Sequence, residues 1–184
     1  MSVRELKRVL VANRGEIAIR IIRGCHALGI PTTIVHSTAD RDTMAVRLAD
    51  EAWCVGPPEA RESYLNVDRI LEVATLSGCD AVHPGYGFLA ENAAFAKRVV
   101  DQGLVWVGPH ADAIENMGDK INARRTMIEA GVPVVPGIES DSFTESALAA
   151  AAKDIGYPVL LKATAGGGGK GIRVVTAESG LWAA

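Results

Sequence analysis

A glycine-rich loop over residues 163–171 carries the strongest chemical signal in the sequence. Glycines occupy positions 166–169 and 171 around Lys170, and the apolar runs 158–162 and 172–175 predict that the loop joins two strands. Glycine lets consecutive backbone N–H groups turn toward a bound anion, and a lysine adds positive charge. The loop does not match the P-loop, whose Gly-Lys-Ser/Thr sequence opens a helix. These features favour a polyphosphate ligand, with a flexible hairpin tip as the alternative.

Two lysines outside the loop are candidates for holding the same anionic ligand. Lys162 ends the apolar run 159–161, where its ammonium group needs a partner, although a lysine can also extend into solvent from a strand end. Lys120 follows Met117-Gly118-Asp119, in the segment that joins two predicted domains. Small ligands often bind in clefts between domains. On these grounds alone Lys120 is an ordinary surface lysine, and only the family resemblance described below makes it a ligand candidate.

The segment His83-Pro84-Gly85-Tyr86-Gly87-Phe88 follows a predicted buried strand. Ligand sites in open parallel sheets lie just beyond the carboxyl ends of strands. Its glycines shape the backbone, Tyr86 and Phe88 offer flat surfaces, and Asn92 can cap the next helix. A binding loop is one interpretation. The other is a structural turn whose aromatic side chains fold into the core.

The segment Asn13-Arg14-Gly15-Glu16 occupies a strand-to-helix turn, where a dinucleotide fold would carry Gly-x-Gly-x-x-Gly. Only one glycine is present, so NAD binding is disfavoured. Arg20 and Arg23 lie three residues apart on the following predicted helix, available for a partner or for water.

Alternating strand and helix patterns predict an α/β fold with a parallel sheet. The predicted strands are 8–12, 30–36, 52–55, 81–83 and 104–107, and the predicted helices are 16–28, a short one after Asp40, 67–77 and 92–102. Gly29 closes the first helix in a left-handed conformation. The first domain ends near residue 115. The second, over 116–184, starts with helical stretches reaching 130, continues with a helix over 144–155 and two strands, and begins another helix after residue 176.

The composition bounds the class of protein. The chain has 184 residues, 48% hydrophobic and 22% charged, which suits one full domain and part of another. A formal net charge of -3 provides no positive field for a nucleic acid. The three cysteines are far apart and no apolar run reaches the length of a membrane span, so we expect a cytoplasmic protein without a disulfide framework or zinc cluster.

Four motifs in register make the chain resemble biotin carboxylases over residues 7–176. They are Val11-Ala12-Asn13-Arg14-Gly15-Glu16-Ile17-Ala18, His83-Pro84-Gly85-Tyr86-Gly87-Phe88-Leu89, Met117-Gly118-Asp119-Lys120 and the 166–171 loop. The family includes the biotin carboxylase subunit of acetyl-CoA carboxylase and the homologous parts of acyl-CoA and pyruvate carboxylases. The resemblance implies a Rossmann-like domain, the pre-ATP-grasp domain, followed by an incomplete ATP-grasp domain with a two-stranded lid over ATP.

The resemblance also assigns site residues. The positions that match nucleotide-contacting residues of the family are Lys120, Lys162, Gly168 and Gly169. Tyr86 and Gly87 match the loop near the biotin ring. The first helix, with Arg20 and Arg23, resembles a surface used for homodimerisation.

In this family ATP activates bicarbonate as carboxyphosphate, magnesium ions bridge the phosphates, and the carboxyl group passes to biotin on a biotin carboxyl carrier protein. A carboxyltransferase then uses it, in acetyl-CoA carboxylase for fatty acid biosynthesis. The family's magnesium ligands, bicarbonate cluster and glutamate base lie downstream of the glycine loop. The resemblance therefore implies no catalytic residue and no metal ligand among these 184 residues, and the isolated chain is expected to be inactive.

Two other functions stay open. The chain could be a non-catalytic module that binds a carboxylase partner through its first helix. It could also belong to another ATP-grasp ligase, such as a carbamoyl-phosphate or amino-acid ligase, although the Arg-Gly-Glu and His-Pro-Gly-Tyr-Gly motifs argue against this.

Overall fold

The computed structural model describes residues 5–118, 120–138, 144–162 and 172–181, without the side chains of residues 120 and 121. Contacts divide the chain into two compact units, residues 1–120 and residues 121–184.

The first unit is a parallel five-stranded sheet with the strand order β3-β2-β1-β4-β5. The predicted α/β class and parallel sheet are confirmed. In chain order the elements are β1 (Val9–Val11), α1 (Gly15–Ala27), β2 (Thr32–Ser37), α2 (Met44–Leu48), β3 (Glu51–Gly56), α3 (Val67–Leu76), β4 (Ala81–His83), α4 (Ala93–Asp101), β5 (Val105–Trp106) and α5 (Ala111–Gly118).

Strand β1 lies in the middle of the sheet and is buried along its whole length. Successive side chains of a strand point to opposite faces of the sheet. Leu10 accordingly belongs to the core cluster that contains Ile70 of α3 and Phe95 of α4. Val11 belongs to the cluster that contains Ile22 of α1. Helices therefore cover both faces, as the apolar strands require.

The closure of α1 explains why β2 begins later than predicted. Gly29 has a φ of +71°, the predicted left-handed conformation. Its N–H donates to the carbonyl of His26, and the N–H of Ile30 donates to that of Cys25. This is the Schellman pattern. Because it uses the N–H groups of residues 29 and 30, the strand starts at Thr32 instead of residue 30.

The second unit contains helices and an antiparallel hairpin. Its elements are α6 (Lys120–Glu129), α7 (Glu145–Ile155), β6 (Val159–Lys162) and β7 (Ile172–Val175). Ala152, Val159 and Val175 form a small core with Leu181. After residue 176 the described residues form a 3-10 turn, Glu178–Gly180, and not the start of the α-helix predicted there. Among the described residues, no helix is both long and apolar enough to cross a membrane.

Candidate functional site

The carboxyl ends of β1 and β4 open into one cleft. The two strands are neighbours, with Val11 beside His83, and the N–H of Ala12 donates to the His83 carbonyl at 3.0 Å. The turn after β1 and the loop after β4 therefore leave the sheet side by side. They border an open cleft of about 370 Å³, called here the sheet-edge cleft, which is lined by Asn13, Arg14, Gly15, Glu16, Ile17, Tyr86, Gly87 and Phe88.

Asn13 joins the two segments. Its side chain is buried, and Nδ2 donates to the carbonyl oxygens of Pro84 at 2.7 Å and Tyr86 at 2.8 Å. Its Oδ1 accepts from the N–H of Arg14 at 2.8 Å. A buried amide gains from such bonds and would be costly to leave unpaired. One side chain of the turn after β1 thus holds the backbone of the loop after β4.

The loop after β4 has an unusual backbone. Gly85 and Gly87 have φ values of +67° and +65°, and Phe88 has a φ of +42°. Residues with a Cβ rarely adopt this conformation. A Cβ at Gly85 would also lie 2.9 Å from Nδ2 of Asn13 and 3.1 Å from Cγ1 of Ile17. Glycine at position 85 therefore satisfies both a conformational and a packing requirement.

The two aromatic side chains of the loop have different environments. Tyr86 is 60% exposed, and its hydroxyl donates to Oε1 of Glu16 across the cleft. This hydrogen bond raises the pKa of Tyr86. Phe88 stacks on the ring of Tyr64 with a centroid distance of 5.2 Å. Tyr86 thus presents a flat surface at the sheet-edge cleft, whereas one face of the Phe88 ring packs against Tyr64.

A buried carboxylate fixes the neighbouring turn. Asp40 follows β2 and accepts hydrogen bonds from Nε and Nη2 of Arg14 at 2.7 and 2.6 Å. The hydroxyl of Tyr64 donates to Asp40 at 2.6 Å, and that of Ser37 does so at 3.2 Å. The Arg14 guanidinium, more than any other group, lowers the pKa of Asp40 to about 2. The carboxylate in turn raises the pKa of Arg14.

Sequence reasoning missed Asp40 and Tyr64 as parts of the site. For Asp40, the sequence contained a usable signal, which was the position of Arg14 and Asp40 at the ends of two predicted strands. Arg14 follows β1 and Asp40 follows β2, and carboxyl ends of neighbouring parallel strands lie at one edge of the sheet. The opposite charges of these two residues could have predicted the pair.

The side chain of His83, the last residue of β4, accepts a hydrogen bond from the loop that follows it. The N–H of Gly85 donates to Nδ1 of His83 at 3.1 Å, so the proton of a neutral ring lies on Nε2. Burial lowers the pKa of His83, which favours this neutral form.

The predicted nucleotide-contacting residues lie elsewhere in the chain. Lys162 is exposed at the end of β6, opposite Ile172 in the hairpin. Lys120 opens α6, but its side chain is not described. Gly168 and Gly169 fall outside the described residues. The structure therefore brings Tyr86 and Gly87 to the sheet-edge cleft and leaves the four nucleotide assignments as predictions.

Arg20 and Arg23 are exposed on α1 and line a second, open cleft of about 710 Å³. Ile19, Gly24 and Met44 complete this surface together with Glu16, and Met44 is 57% exposed. In the part of the chain that the structure describes, no group of three or more His, Cys, Asp or Glu side chains could hold a metal ion.

The fold and the comparisons define the class of protein: a Rossmann-like α/β domain followed by part of an ATP-grasp domain. Residues 5–114 match the family described as "Biotin carboxylase, N-terminal domain". Residues 119–184 match "Carbamoyl-phosphate synthase L chain, ATP binding domain". The chain belongs to the biotin carboxylase N-terminal domain family.

Similar proteins carry related names. The chain is 56% identical to Biotin carboxylase 1 of Bacillus subtilis, over 96% of this chain and 39% of that protein. It is 50% identical to a pyruvate carboxylase subunit of Methanothermobacter thermautotrophicus, over 95% and 35% of the two chains. The chain therefore spans about 40% of the length of such relatives.

A similar solved structure is the biotin carboxylase domain dimer of Hydrogenobacter thermophilus 2-oxoglutarate carboxylase, in complex with MgADP, ADP and bicarbonate. The TM-score is 0.85 and the identity 46%, over 98% of this chain and 40% of that one. The predicted family is confirmed.

Replacing Asp40 with Asn should lower the free energy of unfolding at pH 7 by about 1–2 kcal/mol, an amount reduced because Arg14 is half exposed. Because the folded-state pKa lies below the ordinary value of 3.8, the carboxylate stabilises the fold above that pH. The contribution is lost as the pH falls from 3.8 towards about 2.

Urea unfolding of both proteins between pH 7 and pH 2 measures this difference. Asp42→Asn, at an exposed carboxylate two residues away, is the control. A difference between wild type and Asp40→Asn that stays constant down to pH 2 would contradict the role assigned to Asp40.

Proposed function

We propose that this chain is the N-terminal part of a biotin carboxylase, the ATP-dependent ligase component that uses ATP and bicarbonate to carboxylate biotin on a carrier protein. The observation that carries the proposal is the sheet-edge cleft, which presents an exposed tyrosine ring. The 56% identity to a protein named biotin carboxylase supports it. That the isolated 184 residues are inactive stays a prediction.

We assign the contacts with biotin and the contacts with the nucleotide to separate sets of residues. Tyr86 and Gly87 lie near the biotin ring, where the tyrosine supplies a flat contact and Gly87 leaves room because it has no side chain. Tyr86 is held at its hydroxyl by Glu16, which supports such a role. The similar 2-oxoglutarate carboxylase domain was solved in complex with MgADP, ADP and bicarbonate, and this supports a nucleotide site in the present chain.

For the nucleotide we propose contacts from Lys120, Lys162, Gly168 and Gly169. The exposed ammonium group of Lys162, at the start of the glycine-rich segment, fits a polyphosphate. When bound, ATP supplies the phosphoryl group that activates bicarbonate, and magnesium neutralises the phosphate charge. The residues of this chain bind and orient the nucleotide, and the proposal takes no metal ligand from them.

The domain boundary and the cellular setting are also proposals. We place the boundary near residue 115, with domains over 1–115 and 116–184. The two family matches, which meet between residues 114 and 119, support it. The three cysteines are unpaired, which supports a cytoplasmic location.

We further propose that the partners are a biotin carboxyl carrier protein and the carboxyltransferase of an acetyl-CoA carboxylase, which serves fatty acid biosynthesis. The 56% and 53% identities to proteins named biotin carboxylase support a biotin-bearing carrier as a partner. Mass spectrometry of the carboxyltransferase that co-purifies with the native protein tests it. A pyruvate-type carboxyltransferase would contradict it.

A homodimer through α1 is the last part of the proposal. Arg20 and Arg23 of α1 are exposed beside Met44 of α2, so this surface offers both charge and apolar area to a second copy. The similar 2-oxoglutarate carboxylase domain is a dimer.

Grafting tests the activity. When this chain replaces the aligned residues of the Bacillus subtilis protein, the chimera should release phosphate from ATP in a reaction that depends on bicarbonate and free biotin. Lys162→Gln should lower kcat/KM for ATP by about tenfold or more, because a hydrogen bond to a charged group contributes about 1.5–3 kcal/mol.

The matched control is Lys153→Gln, an exposed lysine on α7. A chimera without biotin-dependent phosphate release would contradict the proposed activity and favour a non-catalytic module. Equal effects of the two lysine substitutions would remove Lys162 from the nucleotide site. The isolated chain, assayed in parallel, should release no phosphate.

The α1 surface is tested by sedimentation velocity over a range of concentrations. The wild-type chain should show a concentration-dependent dimer, and Arg20→Glu/Arg23→Glu should shift it to monomer because charge reversal removes complementarity with the partner copy. Arg61→Glu, on an exposed 3-10 turn, is the control. A dimer that tolerates both Arg20 and Arg23 changes would exclude this surface.

A further inference from the structure

We propose that Asn13 is a positioning residue, whose buried amide fixes the backbone of residues 84–86 and thereby holds the Tyr86 ring at the sheet-edge cleft. The inference rests on the proposed function only in taking that ring to face biotin. Its structural content concerns two neighbouring segments, the turn after β1 and the loop after β4.

The hydrogen bonds of Asn13 allow only one orientation of its amide. Both protons of Nδ2 are used, one for the Pro84 carbonyl and one for the Tyr86 carbonyl. Oδ1 accepts from the N–H of Arg14. A flipped amide would place an oxygen against two carbonyl oxygens and an NH₂ group against an N–H. Asn13 is 2% exposed, so water cannot readily replace these partners.

The loop needs such an external contact because its backbone is not one that the chain adopts by preference. Gly85, Gly87 and Phe88 all have φ values between +42° and +67°. Glycine loses much conformational freedom when it is fixed in one conformation. Two carbonyl contacts from one buried side chain offset part of that loss at the centre of the loop.

Tyr86 is held at both of its ends by the segment that follows β1. Its carbonyl oxygen accepts from Asn13 in the turn after β1, and its hydroxyl donates to Glu16 in the first turn of α1. If the hydrogen bond from Asn13 to the Tyr86 carbonyl is lost, the backbone of Tyr86 is no longer fixed at the position from which its hydroxyl reaches Glu16. The Asn13 amide therefore acts on the cleft through Tyr86 and needs no contact with a ligand.

The test is a titration of the tyrosines by NMR in the ligand-free chain labelled with ¹³C at the ring Cζ. In the wild type, Tyr86 should titrate above the ordinary range because of its hydrogen bond to Glu16. In Asn13→Ala its midpoint should fall towards the ordinary value. In the wild-type background, Glu16→Gln should lower the Tyr86 midpoint. In the Asn13→Ala background, Glu16→Gln should cause no further change in that midpoint.

Asn66→Ala is the matched control, because Asn66 is also an asparagine that accepts from a backbone N–H, at the start of α3. It should leave the Tyr86 midpoint unchanged. If Asn13→Ala does not fold, Asn13→Ser gives the same readout, since serine keeps a polar side chain but lacks the two Nδ2 protons that reach the Pro84 and Tyr86 carbonyls.

An unchanged Tyr86 midpoint in a folded Asn13→Ala or Asn13→Ser protein would overturn the proposal. An equal shift in Asn66→Ala would do the same, because it would indicate general loosening. The titration uses no biotin, so it is independent of the proposed function. If only the proposed function fails, the chimera will lack biotin-dependent activity while Asn13→Ala still lowers the Tyr86 midpoint.

Discussion

The burial of strand β1 is the constraint on which the first unit depends. This strand is flanked by β2 and β4, and its side chains face helices on both sides of the sheet. Its parallel neighbours end at the same edge, so the segments that follow the three strands must leave the sheet together. Residues that are distant in the sequence, such as Asn13, Asp40 and Tyr86, are thereby brought to one place.

Polar groups gathered at that edge must be paired, because burial without a partner is costly. The Asp40 carboxylate meets this requirement with donors from Arg14, Tyr64 and Ser37. Tyr64 in turn supports Phe88 at one end of the loop after β4, while Asn13 supports its centre. The same interactions that make the edge stable therefore give the cleft a defined shape before any ligand arrives.

The sequence predicted the elements well because apolar periodicity and glycine positions are local signals. The strands at 81–83 and 172–175 have the predicted bounds, and Gly29 closes α1 as expected. The Tyr86 loop was singled out from its motif. The Asn13 contacts were not, because they join residues 71 and 73 positions apart and a single sequence shows no such proximity. The Arg14–Asp40 pair was missed because the strand order, which makes β1 and β2 neighbours, was not predicted.

Whether biotin binds at the sheet-edge cleft is tested most directly by an NMR titration of the ¹⁵N-labelled chain with a biotinylated carrier domain, compared with the same domain without biotin. We expect biotin-dependent shifts of the amides of Gly15, Glu16 and residues 85–87, which lie at the sheet-edge cleft. Shifts confined to other surfaces, or equal for both forms of the carrier, would show that this cleft does not receive biotin.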